Sequence, residues 1–437
     1  MDPLEQIIAF LKQTDELLVA STLLKTFKKY STEVEQYDQL GRLLNDVKDY
    51  PEAIDCAQRT LVLASNPHQM YAARSNLAKM MNHINSPDKA LQYINANLDV
   101  NPDDYEAKME QVFSTYLLGN LEKSYELTKQ LLNDPNVPDN IRTRCLYNSG
   151  SYQMDEGNFK EGIRNFIQIG HAIGIWPNKH LPEHWQGQYV ENATIAILAE
   201  GGIGDEIINV RFMQNIKDMG MDAIWVTNRD DLVELFNRND FTTVRNISEI
   251  TQENVIYCYS FFLPILLDLD NNQLWSKPYL KPSEEYVKKW ENILPKGKKI
   301  ALKYSGNPYY EQDLHRSVPL KELNNVLDFD RDDITFISVQ KEHNQDLANY
   351  PKIQHVDTQT LEDLLAVLSL MDYTVSSCTS IPHLSSAAGL PTIVMPPIAT
   401  YYTWLNSGND WYGNHVKVLR QREWKSYNHL DYLKTIV

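Results

Sequence analysis

Apolar positions along this 437-residue chain keep two different rhythms. In the first third they recur at three- and four-residue steps, the spacing of one helix face. Four stretches look alike: YPEAIDCAQRTL (50–61), PDKALQYINANL (87–98), LEKSYELTKQLL (121–132) and FKEGIRNFIQIG (159–170). Each carries a small residue at the same place, Ala53, Ala90, Ser124 and Gly162, at intervals of 37, 34 and 38 residues. A helical stretch precedes each one, with apolar or small residues near its centre: Leu40-Gly41, Leu77-Ala78, Val112 and Ser149-Gly150. Turn signals such as NSPD and LGN separate the helices. From about residue 190 the rhythm changes to short apolar runs of strand length. These are 193–199, 223–227 and 255–260, then 299–305, 334–340, 373–377, 392–396 and 416–421. Helical patterns fit between them, notably 204–218, 359–370 and 382–389.

A period near 34 with a small residue where paired helices touch resembles the tetratricopeptide repeat, with residues 1–30 as a capping helix pair. Such an array offers a concave docking surface for a protein or peptide, or serves as a spacer against the next domain. The two strand–helix series predict two doubly wound parallel sheets facing a cleft. The proline-rich KPYLKP (277–282) and LPKGKK (294–299) mark the break between them. The predicted organisation is therefore a helical repeat domain over 1–175, a Rossmann-like domain over 190–285 and a second over 296–437.

Composition narrows the function. The formal charge is −17, and both the repeat region and the remainder are net acidic. No basic half exists to hold a nucleic-acid backbone or an anionic membrane by charge alone. Cys56, Cys145, Cys258 and Cys378 are far apart and form no C-x-x-C, so neither a zinc ribbon nor a disulfide frame is expected. The start, MDPLEQIIAF, lacks a signal-peptide pattern, and the longest apolar run, FFLPILL (261–267), is too short to span a bilayer. The expectation is a reduced, soluble, cytoplasmic protein.

Ligands of doubly wound sheets bind beyond the carboxyl ends of strands, which directs attention to three turns. The first is AEGGIGDEIINVRF, where Gly201, Gly202 and Gly204 allow a tight reversal. Its spacing is not G-x-G-x-x-G, so a dinucleotide fingerprint is weak here. Asp205 falls in the first helical turn. There it either complements the helix dipole or stands at the cleft mouth as a general base. The second turn, YSGNPYYEQDLHRSVPL, is long and polar and includes Asn307, Tyr310 and Arg316. Arg316 suits a diphosphate, although a solvated arginine near a helix start is the commoner case. The third is SSCTSIPHLSSAAGLP, where Cys378 leads into Thr379 or Ser380 as N-cap and Pro382 in the first turn. Free backbone N–H groups there make an anion site without basic residues. His383, just inside the helix, faces the cleft or is an ordinary packed ring. The Asp-x-Asp pairs DLD (268–270) and DFD (328–330) follow no clear strand and read as solvated loops rather than a metal site.

Together EGGIGDEIINVRFM, YSGNPYYEQDLHRSVPL, the segment from DTQTLEDLL to TIVMPP, and TWLNSGNDWYGNHVKVLRQREW resemble, in the same order, the tetratricopeptide-repeat glycosyltransferases of bacteria and phages. These are related to heptosyltransferases and to O-linked N-acetylglucosamine transferases. The resemblance covers about residues 30–430, with Trp404, Trp411-Tyr412 and Arg420-Gln421 in place. It implies a GT-B fold, a nucleotide diphosphate sugar as donor substrate, and no cofactor or metal. It also implies Asp205 as base and Arg316, Thr379, Ser380 and His383 at the donor diphosphate. Gly202, Gly204, Asn307, Tyr310, Cys378 and Trp404 complete the cleft candidates. The chain departs from the family where Cys378 replaces an aspartate thought to hold the donor sugar, and where Tyr310 replaces a histidine.

The expected activity is inverting, metal-independent transfer of a sugar to an acceptor hydroxyl on a protein docked at the repeats, a glycan or a modified phage DNA base. The alternative is an interaction scaffold carrying a degenerate transferase module, which Cys378 favours. A third reading keeps the fold and changes the reaction, as in nucleotide-sugar epimerases.

Overall fold

The computed structural model describes residues 3–14, 16–172, 184–270, 273–274, 276–307, 310, 313–341, 344–405 and 411–436. By compactness the chain forms two units: Met1–Arg142 with Asn307–His315, and Thr143–Gly306 with Arg316–Val437.

The first unit is helical: α1 (Pro3–Gln13), α2 (Leu17–Lys28), α3 (Val34–Asp46), α4 (Tyr50–Leu63), α5 (Pro67–His83), α6 (Pro87–Leu98), α7 (Tyr105–Leu117) and α8 (Leu121–Asn133). The helix starts are written locally. Asn66, Asp104 and Asn120 each accept a backbone N–H of their own first turn, and Pro67 and Pro87 occupy positions where no intrahelical N–H is required. The small repeat residues sit where predicted, at the helix contacts. Ala53 and Ala90 are fully buried, and a methyl group on Gly41 would already lie 3.3 Å from the Cys56 Cβ. Ser124 adds a directional bond, its hydroxyl donating to the Val112 carbonyl at 2.8 Å. In Asn307–His315 the His315 ring is buried beside the Asn82 backbone, and burial pushes its pKa down to about 4.

In the second unit, α9 (Asp139–Asp155, from Thr143 onward) and α10 (Phe159–Ala172) cross so closely that a methyl group on Gly162 would lie 2.7 Å from the Gly150 carbonyl oxygen. Phe159 meets Trp411 edge-on at 5.8 Å, and Phe166 lies 5.5 Å from Tyr402. The almost fully buried Arg420 holds both Asp155 oxygens, at 2.6 and 2.8 Å.

Two parallel sheets follow. The first contains β1 (Thr194–Leu198), β2 (Asp222–Val226), β3 (Thr243–Val244) and β4 (Val255–Tyr259), in the order β3-β2-β1-β4. Its helices are α11 (Ile203–Val210), α12 (Met213–Asp218), α13 (Asp230–Arg238) and α14 (Leu263–Leu266). A linking helix, α15 (Glu284–Glu291), fills the break that its prolines suggested. The second sheet contains β5 (Lys298–Lys303), β6 (Ile334–Ser338), β7 (Gln354–His355), β8 (Tyr373–Ser377), β9 (Thr392–Met395) and β10 (Val416–Val418), in the order β10-β9-β8-β5-β6-β7. Between β5 and β6 lies α16 (Asp313–Arg316), of which only Arg316 belongs to this unit; the helices of the sheet are α17 (Leu320–Leu327), α18 (Leu361–Ser369) and α19 (Ser380–Ala387).

Strands such as Thr194–Leu198 and Tyr373–Ser377 read as apolar runs because helices cover both faces of a parallel sheet. One continuous core runs from Ile195 and Ile197 through Phe212 and Ala301 to Val394 and Trp411, so the two sheet lobes share a single apolar interior. A second cluster covers the far face of β5 and β8, around Ile300, Leu302 and Val375. The architecture is an N-terminal helical-repeat region followed by two Rossmann-like lobes, as in a GT-B fold. The one long helix expected over 204–218 is instead two, α11 and α12. At the break the Arg211 side chain turns back, its Nε donating to the Ile208 carbonyl at 2.7 Å.

Candidate active site

Strand order locates the crevices. In the first sheet the connections leave β1 toward β2 on one side and reach β4 on the other, so the switch point lies between β1 and β4. In the second sheet it lies between β5 and β8. Ligands bind at such points because the two flanking loops diverge and leave a gap at the strands' carboxyl ends. The turn after β1 leads into α11, whose first turn carries Asp205. The loops after β5 and β8 carry Arg316 and Cys378. The two switch points adjoin: a methyl group on Gly204 would lie 3.4 Å from the Ser380 Cα and 3.1 Å from the His383 ring. Gly204 is thus the close approach that lets the starts of α11 and α19 meet.

Asp205 occupies the third position of α11. Its Oδ2 accepts the Gly202 N–H at 2.7 Å, and its Oδ1 accepts the Tyr401 hydroxyl at 2.5 Å. Gly201 makes this possible with φ +78°, and a side chain there would overlap the carboxylate, 2.4 Å from Oδ2. Burial pushes the Asp205 pKa above the usual carboxylate range, against the pull of Tyr401 and Gly202. The next residue, Glu206, is fully buried, and burial raises its pKa too. It accepts the Trp225 indole N–H at 3.0 Å and pairs with Arg229, whose other nitrogen donates to the Gly201 carbonyl at 2.9 Å. Arg229, about a third exposed, therefore braces the glycine turn and presents positive charge beside Asp205.

On the facing lobe, Arg316 Nη1 donates to the Cys378 carbonyl at 3.2 Å, spanning the β5–β8 switch point. Burial pushes the Cys378 thiol up to about 11, so it stays protonated at neutral pH despite Arg316. Thr379 is the N-cap of α19, and its hydroxyl accepts the Ile381 N–H at 3.4 Å. Ser380 opens the helix.

His383 is buried within an aromatic stack, 4.6 Å from Trp404 and nearly parallel to it. Its Nδ1 is 2.8 Å from the Tyr412 hydroxyl, and burial pushes its pKa down to about 3. A neutral ring held this way packs the helix and brings no positive charge to a diphosphate. Trp404, a cleft candidate by sequence, forms the other side of that stack. Asn307 and Tyr310 group with the helical unit, where the Tyr310 N–H donates to the Asn307 carbonyl at 3.0 Å. Asp268, Asp270, Asp328 and Asp330 are exposed as expected, and Asp268 pairs with Lys160 and Arg164. Among the described residues no group of three or more His, Cys, Asp or Glu side chains is placed to hold a metal ion. No helix of the described residues is long and apolar enough to cross a membrane.

Residues that sequence reading passed over are Tyr401, Glu206, Arg229 and Arg211. The acid pair Asp205-Glu206 at a helix start was a usable signal for Glu206. Arg211 is fully buried; its guanidinium donates to the Trp411 carbonyl and, at 2.9 Å, to the Tyr279 hydroxyl, and lies over the rings of Tyr279, Trp411 and Tyr412.

No protein-family model matches this chain, and no curated protein matches it. Among solved structures it resembles Escherichia coli heptosyltransferase WaaC with ADP-2-deoxy-2-fluoro heptose, at 11% identity over 56% of this chain and 98% of that one, with a TM-score of 0.38. It also resembles a mutant of Thermobaculum terrenum O-GlcNAc transferase, at 10% identity over 99% and 91%, TM-score 0.38. The third is YrrB, a TPR protein with an unusual peptide-binding site, at 17% identity over 40% and 89%, TM-score 0.28.

The buried His383 has a measurable consequence. Unfolded, it takes up a proton near pH 6.5; folded, it does so only near pH 3. The unfolded state therefore binds more protons between these values, and stability falls as pH drops through that window. The slope is about 1.4 kcal/mol per pH unit for one such histidine. Denaturation midpoints of wild type and His383→Gln between pH 4 and 7 should show the shallower acid-side slope in the variant. Equal slopes would mean that His383 is not neutral in the folded protein.

Proposed function

We propose that this protein is a metal-independent, inverting glycosyltransferase that moves a sugar from a nucleotide diphosphate donor to an acceptor hydroxyl. The observation that carries the reading is the meeting of two switch-point loops, one with a carboxylate and the other with an arginine and a helix start. Asp205 takes the acceptor's proton as the acceptor oxygen bonds to the anomeric carbon. The bond from that carbon to the diphosphate oxygen breaks on the opposite face, and its electron pair leaves with the nucleotide. Arg316 and the first N–H groups of α19, with Thr379 and Ser380, stabilise the negative charge that develops there. Attack by one base-activated hydroxyl opposite the leaving group gives inversion. The helical unit supplies a surface for a protein acceptor.

Calorimetry with nucleoside diphosphates tests the donor half. Saturable binding is expected, and Arg316→Met should weaken it roughly 10- to 100-fold, the worth of a charge-assisted hydrogen bond to phosphate. Two features favour the scaffold reading instead: Asp205 caps its own helix, and Cys378 is a protonated thiol beside Arg316. Absence of saturable binding to any nucleoside diphosphate would select that reading.

A further inference from the structure

We propose that Tyr401 is the positioning residue for Asp205, its hydroxyl fixing one carboxylate oxygen from the opposite lobe so that the other lone pairs face the acceptor. The role in catalysis rests on the transferase reading above. The Gly202 contact by itself is a helix cap, which an acid at that position commonly makes. The Tyr401 contact is different in kind. It comes from 196 residues further along the chain, from the segment between β9 and β10, and joins the two lobes through the carboxylate itself. The Tyr401 ring is fixed in turn by Tyr402, 4.5 Å away.

The proton on this hydrogen bond belongs to the tyrosine. Burial and the neighbouring carboxylate push the Tyr401 phenol well above its ordinary range, so it donates and Asp205 accepts. Burial already drives Asp205 toward its protonated form, in which it cannot act as a base. A donor on Oδ1 opposes that drift and sets the direction of the carboxylate. The other groups acting on this pair are Glu206, which disfavours ionisation of Asp205, and Arg229, which favours it, both from the lobe of Asp205. From the other lobe come Cys378, with Arg316 at its carbonyl, and Tyr402, while Tyr147 of α9 lies near Tyr401. During transfer the acceptor's proton goes to Asp205, and Tyr401 keeps its own throughout.

Tyr401→Phe keeps the ring and removes only the hydroxyl. The Asp205 carboxyl is followed by carbon-13 NMR titration of the full chain labelled at aspartate, assigned with Asp205→Asn, with Tyr402→Phe as the neighbouring control. In Tyr401→Phe the Asp205 midpoint should rise by about one pH unit or more, the worth of a hydrogen bond to a charged group. The acid limb of kcat/KM against pH should move upward by the same interval. The donor KM should change less than about threefold, because Tyr401 contacts the base and not the leaving group. An unchanged Asp205 midpoint, or an equal rise in Tyr402→Phe, overturns the proposal. If the midpoint rises only in Tyr401→Phe while the wild type transfers no sugar, the positioning of Asp205 stands and the transferase reading falls.

Discussion

Asp205→Asn is expected to reduce sugar transfer by roughly 10²–10⁴-fold while nucleoside diphosphate binding stays within about threefold of wild type. Asparagine has nearly the same shape, and its single carbonyl oxygen still accepts the Gly202 N–H that closes the α11 cap. What it loses is the oxygen that accepts the Tyr401 hydroxyl and the capacity to take a proton from an attacking hydroxyl. Arg316, Thr379 and Ser380, proposed to hold the donor, are untouched, and the core beneath α11 is unchanged. The separation of effects is therefore diagnostic: kcat collapses and the calorimetric dissociation constant does not. Near-normal turnover in the variant would remove Asp205 from the role of base.

The largest effect on stability is expected at Arg211. Arg211→Met keeps most of the buried volume but withdraws the donors that satisfy the Ile208 and Trp411 carbonyls, and it loses the cation over three aromatic rings. Unmet buried acceptors and a lost desolvated cation–π contact together cost about 3–5 kcal/mol. For a unit of this size the thermal midpoint should fall on the order of 10 °C, read from tryptophan fluorescence. Lysine is not expected to restore it, since a point charge cannot serve the same divergent acceptors. A midpoint unchanged in Arg211→Met would show that the guanidinium is dispensable at the lobe interface.

The chain announces its architecture where structure is local or periodic. Small residues at Ala53, Ala90, Ser124 and Gly162 mark helix contacts because only a small side chain lets two helices touch. Strands such as 373–377 stand out because burial on both faces demands an unbroken apolar run. The two-residue strands β3 and β7 carry no such run and escape notice. Helix α15 lies between prolines that suggested only a linker. The turns that make up the candidate site were legible, since glycines, an acid and a helix cap fall within a few residues of one another. Its long-range partners were not. Tyr401 meets Asp205 and Arg211 meets Trp411 across about 200 residues, and no spacing rule relates such positions. His383 shows the same limit from the other side. A histidine one turn into a helix reads as a cleft residue or as a packed ring, and the rings of Trp404 and Tyr412 that pack against it come from another segment.

The bond between Arg420 and Asp155, with Phe159 and Phe166 set among the aromatic rings of the second lobe, gives the last two helices a double allegiance. They repeat the pattern of the solenoid, yet their apolar sides complete the interior of the two sheet lobes. A version of the protein cut just ahead of β1 would strip that interior of one wall and leave Arg420 without its counter-ion. The smallest self-sufficient fragment holding both sheets therefore begins inside the repeats, upstream of α9, and not at the first strand.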